Sequence, residues 1–136
     1  MKWHFWVVGV LALIWHGFGV LNAVMHLTAA ETLYAAEPEQ LAYIQNMPLL
    51  SKVTLIAAVT SGILGALTFF MRKRVTTTLW IVSLVMVLLS TVQDVLLGGL
   101  ELFGAGMVLS TTVTLVIVQV ALLYYVRAQV KSGNFS

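Results

Sequence analysis

Apolar residues in this chain fall into four long runs, separated by short polar or glycine-rich stretches. The runs cover residues 5–27, 49–71, 77–97 and 107–126. Each holds about 20 residues or more, enough at about 1.5 Å per residue to cross a hydrocarbon core of about 30 Å. The pattern predicts an all-α membrane protein: one membrane domain over residues 1–136, built as a four-transmembrane-helix bundle. The fourth run is rich in Val and Thr and would read as strand in water. Its length and lack of alternation favour helix in lipid, where a lone strand leaves its backbone unpaired.

The first run, FWVVGVLALIWHGFGVLNAVMHL, carries most of the polar signal. At about 23 residues it exceeds the roughly 7–15 of a signal-peptide core, and no small-x-small cleavage site follows, so a retained helix is expected. On that helix Gly9, Ala12, His16, Gly19, Ala23 and His26 share one face. Lipid has no use for small residues or imidazoles, so the face should turn inward. The second run has Ala58, Gly62 and Ala66 at intervals of four, with Ser61 and Gly65 alongside. Small residues at that spacing let two backbones approach closely, either within one bundle or between copies.

Between the first two runs, Thr28 and Glu31 have capping-box spacing, and Pro38 suits the first position of a short helix over residues 38–46. Leu41 and Ile44 share its apolar face with Tyr43 at the edge, which predicts an amphipathic helix lying on the outer membrane surface. Residues 98–106 read as a flexible glycine-rich turn.

Charge sets the orientation. Lys2, Arg72, Lys73, Arg74, Arg127 and Lys131 flank one side of the runs, while Glu31, Glu37, Glu39, Asp94 and Glu101 lie in or beside the first and third loops. The positive-inside rule puts both termini and the second loop in the cytoplasm, with Trp3, Trp6, Tyr124 and Tyr125 as interfacial anchors of that leaflet. Sixty per cent of the chain is apolar and only 9% charged, against about a quarter charged in soluble domains. Basic residues that flank apolar runs indicate a lipid bilayer as partner, not nucleic acid. The chain has no cysteine, which excludes disulfides, thiol catalysis and thiolate metal sites.

Five polar residues should lie at similar depth near the outer surface: Asn22, His26, Lys52, Gln93 and Asp94. They form either a Lys52–Asp94 ion pair or a shallow polar pocket open to the outside. His16, near mid-membrane, is expected to be uncharged and hydrogen-bonded to Thr60, Thr112 or Gln119. His16 and His26 share one helix about 15 Å apart by helical rise, and His4 lies at the opposite end, so neither haem nor another metal is expected. No nucleophile elbow, zinc-protease motif or phosphate-cradling loop is present, and no enzyme activity is expected. Two readings remain. One is a non-enzymatic bundle acting through helix packing, as a homo-oligomer or an accessory subunit of a larger membrane complex. The other is an oligomeric small-solute transporter or channel with its site among the five polar residues.

The string Leu13-Ile14-Trp15-His16, Gly19, Met25, Thr28, Tyr34, Pro38-Glu39-Gln40-Leu41-Ala42-Tyr43 and Pro48, followed by Gly62, Gly65, Met71-Arg72-Lys73-Arg74 and Ser83-Leu84, resembles an uncharacterised family of small four-helix bacterial inner-membrane proteins. Its members are often loosely labelled sugar transporters. The resemblance covers roughly the first two-thirds of the chain and implies the same topology in a bacterial inner membrane. Where the family carries Asn, Asp, Tyr and Thr, this chain has His16, Asn22, Ala23 and His26, and Leu50 replaces the aromatic after Pro48.

Overall fold

The computed structural model describes residues 3–136. In chain order the helices are α1 (Trp3–Thr28), α2 (Ala30–Leu33), α3 (Pro38–Gln45), α4 (Leu49–Phe70), α5 (Val75–Leu96), α6 (Gly99–Phe103) and α7 (Ala105–Lys131). Of these, α1, α4, α5 and α7 are long and apolar enough to cross a membrane. α7 continues well past residue 126, because a helix keeps its backbone bonds beyond the apolar stretch. Its last turn carries Lys131, a cation suited to the negative end of the helix dipole.

Two loop expectations are corrected. The third loop is not a flexible turn: Gly98 takes a left-handed φ of 84°, turns the chain out of α5 and opens α6. The helix over 38–45 forms as expected with Pro38 in its first turn; it lies as a lid across the end of the bundle against α1 and α6, with Ile44 buried and Pro38, Glu39, Ala42 and Gln45 exposed. Thr28 makes no capping box either; its hydroxyl donates back to the Val24 carbonyl at 2.6 Å.

The four spans pack in series, α1 on α4, α4 on α5 and α5 on α7. The α4–α5 contact is closest because Ala58, Ser61, Gly62, Gly65 and Ala66 are all buried on one side of α4. A Cβ on Gly65 would lie 2.3 Å from the Trp80 indole, and one on Gly62 would lie 2.5 Å from His16 Nδ1. Rings from α5 and α1 occupy the space those side chains lack. The small-residue seam is therefore used within the chain. Polar ties accompany it: Trp80 Nε1–H donates to the Gly62 carbonyl (3.1 Å), Ser83 Oγ–H to the Ala58 carbonyl (2.8 Å) and Gln119 Nε2–H to the Trp80 carbonyl (3.0 Å). In lipid such bonds matter, since apolar burial no longer distinguishes packed from unpacked helices.

Phe5, Phe69, Trp80 and His16 stack in sequence, with centroid separations of 4.8, 5.8 and 5.6 Å. Gly9, Ala12, His16 and Ala23 of the α1 face are buried, while Gly19 is half-buried. Toward the basic end, Phe135 inserts beside Phe5 and Phe69. Ser136 N–H donates to the Arg72 carbonyl at 2.8 Å, and Arg74 N–H donates to the Ser136 carbonyl at 3.0 Å. The Arg72 guanidinium lies 5.3 Å from the centroid of the Phe5 ring. Trp3, Trp6 and Tyr124 are exposed as anchors would be, but Tyr125 turns inward and its hydroxyl meets His4 Nδ1 at 2.5 Å.

Gly65→Val should destabilise the protein by about 1–3 kcal/mol, through overpacking against an indole that cannot retreat. Gly17→Ala, where nothing lies within 4 Å of a built Cβ, should be neutral or slightly stabilising. Unfolding in mild detergent, followed by tryptophan emission, compares the two.

Candidate functional site

The ring stack ends at His16, and beyond it the facing side chains are small. Gly19, Ala23, Ser51, Ala58, Ser83 and Thr112 cannot fill the space between α1, α4, α5 and α7. The result is a cavity of about 520 Å³, with His16 and Gln119 at its inner end and Asn22, His26 and Asp94 toward its rim. Its walls are mainly apolar, with Trp15, Leu55, Val59, Leu84 and Leu115 among them.

Three aromatic rings at the end bearing the acidic loops also line it. Phe103 of α6 stands edge-on to Tyr34 (centroids 6.0 Å apart, 70° between planes) and to Tyr43 of α3 (5.5 Å, 75°). Each tyrosine is also tied to a spanning helix. The Tyr43 hydroxyl donates to Asp94 Oδ1 at 2.8 Å. His26 Nδ1–H donates to the Asn22 carbonyl at 2.8 Å, which leaves Nε2 to accept from the Tyr34 hydroxyl at 2.6 Å. Gln40 Nε2–H adds a bond to the Leu102 carbonyl at 3.3 Å and holds α3 to α6. Gly99 makes this fit possible, since a Cβ there would sit 2.9 Å from the Tyr43 hydroxyl and 3.3 Å from Asp94 Cβ. Burial raises the Tyr34 hydroxyl above the usual tyrosine range. Burial first, then the hydrogen bond to Asp94 and its negative charge, push Tyr43 up much further. Both phenols thus stay protonated as donors.

The structure brings Asn22, His26 and Asp94 together at the rim and leaves Lys52 and Gln93 out of the cavity lining. The Lys52–Asp94 ion pair is not formed; Tyr43 is the partner of the carboxylate. Gln93 Oε1 instead accepts from Thr54 at 3.3 Å. Nor is His16 hydrogen-bonded as expected. Thr60 is exposed, Thr112 pairs with Thr91 at 3.1 Å, and the Gln119 amide is spent on the Trp80 carbonyl. His16 Nε2 is buried with no partner, and stacking on Trp80 holds the ring in place. Among the described residues no group of His, Cys, Asp or Glu is gathered to hold a metal ion.

Tyr34, Tyr43 and Phe103 were not among the five polar candidates. Their signal was present as aromatic residues within the polar and glycine-rich connections, where solvation alone gives no reason for large rings. No family model matches the chain, and neither a curated protein nor a solved structure shows significant similarity to it.

Tyr43→Phe should loosen the lid, because a hydrogen bond to a charged group contributes about 1.5–3 kcal/mol. A single cysteine placed at Ser90, in the cavity wall, should then react with a maleimide roughly tenfold faster or more. The sign with pH follows from the raised Tyr43 pKa. Its contribution is full below about pH 10, the range of a free tyrosine, and is lost as pH rises above that. Wild-type labelling should therefore converge on the Tyr43→Phe rate in alkali.

Proposed function

We propose that this chain is a non-enzymatic membrane protein that binds a small amphiphile in its cavity and passes it across or along the bilayer. The observation that supports it most is the cavity: about 520 Å³, mainly apolar in surface, with hydroxyl side chains along its walls, His16 and Gln119 at its inner end and Asn22, His26 and Asp94 toward its rim. Ligand sites commonly have about 300–1,000 Å³ and this division between apolar wall and sparse polar contacts.

In this reading the basic loops face the cytoplasm of a bacterial inner membrane and the aromatic lid faces outward, as the charge bias favours. Four helices are few for alternating access, so passage calls for a second copy. A second reading, the accessory subunit, draws on α7. Only 11% of its apolar window is buried, and Val113, Ile117, Val120 and Tyr124 are left as a face another helix can cover.

Gly19 lines the cavity and has room for a Cβ, its nearest neighbour being Val59 at 3.8 Å. Gly19→Phe should therefore fill the space without disturbing the bundle. In nanodiscs, wild type should bind radiolabelled decanol at a saturable site, and the variant should lose more than about tenfold in affinity at unchanged helical circular dichroism and thermal unfolding. Equal binding by both proteins would sink the amphiphile reading. Stoichiometric capture of a larger complex by α7 would favour the accessory one.

A further inference from the structure

We infer that the amphiphile is a lipophilic monovalent cation, its ammonium-type head held by Asp94 and the rings of Tyr34, Tyr43 and Phe103. The inference rests on the cavity reading and deepens it.

Asp94 stands at the rim with one oxygen engaged by Tyr43. Oδ2 takes no hydrogen bond from a described residue and is not fully buried. No lysine or arginine lines the space, and Lys52, the nearest candidate in sequence depth, points elsewhere. A carboxylate in an apolar setting without a counter-ion favours whichever cation can reach it. Phe103 meets Tyr34 and Tyr43 in edge contacts at 70° and 75°, so the three rings form one cluster beside it, and a ring face left uncovered by those contacts attracts an alkylated ammonium. His26, the other ionisable group at the rim, accepts from Tyr34 through Nε2 in this arrangement and opposes no cation.

Access and shape agree. Phe18 of α1 and Met107 of α7 line the cavity yet are 66% and 71% exposed. α1 and α7 form no extended packing face with each other. The cavity thus opens sideways toward lipid, where an alkylated cation already concentrates. Along the bundle, the helical rise from His16 to His26 is about 15 Å, room for a medium-length alkyl tail below the head.

The test is calorimetric titration of the protein in zwitterionic nanodiscs with decyltrimethylammonium, decanol and decyl sulfate, with empty nanodiscs subtracted. The cation should bind at least about tenfold more tightly than decanol, and the sulfate most weakly. Asp94→Asn keeps an acceptor for Tyr43, so the lid survives. It should abolish the preference, bringing the affinities for the cation and for decanol to within about twofold of each other. Phe103→Leu should weaken the cation severalfold and decanol little. Similar affinities for all three probes, or a cation preference that survives Asp94→Asn, overturn this inference but leave the cavity reading standing. If no probe binds wild type, both fail.

Discussion

The bundle depends on one indole. Trp80 is fully buried where Gly62 and Gly65 leave no side chains, and its indole N–H and its backbone carbonyl are each bonded to another helix. Apolar burial gives little net drive between helices that lipid already solvates. What remains is close approach, which gains dispersion contact, and hydrogen bonds that have no water to compete with them. Trp80 supplies both, linking α4, α5 and α7, while His16 brings α1 into the same stack. Phe5, Phe69 and Phe135 continue the filling toward the basic end. That half is solid.

The opposite half is built on different terms. There a carboxylate lies among mainly apolar walls, a costly placement unless it is hydrogen-bonded. Tyr43 meets the need from α3, outside the spans, so satisfying the charge also fixes the lid. The short helices follow from this: α6 exists because Gly98 turns the chain and Gly99 lets it close on Tyr43 and Asp94. Lid, carboxylate and aromatic rim form one unit held by a few polar bonds.

The four spans were legible in the sequence because length and hydropathy alone decide them. The inward face of α1 and the small-residue seam of α4 were legible too, since only packing explains small residues in lipid. Part of the polar set was readable too: Asn22, His26 and Asp94 all line the cavity. Azimuth was not. Ser51, Thr54, Ala58, Ser61 and Gly65 mark the buried side of α4, and Lys52 falls one residue, or about 100°, off it. The expected pair failed because equal depth does not imply facing positions. The lid escaped notice because local composition cannot show that Tyr34, Tyr43 and Phe103 converge across some 70 residues of chain.

One choice of residue serves both halves, and its neighbours decide the effect. On α1 the inward stripe runs from Gly9 to Ala23, small except at His16. At Gly9 it meets Phe69 and Phe70, and a Cβ there would lie 2.7 Å from the nearer ring, so small size becomes tight packing. At Gly19 it meets only Val59, at 3.8 Å, and small size becomes empty space. The cavity therefore needs no special element of its own. It begins where the rings stop, and its polar rim lies toward the end of the bundle that bears the acidic loops. A single bulky residue on that stretch of α1 would extend the solid half and leave Asp94 and Tyr43 guarding nothing.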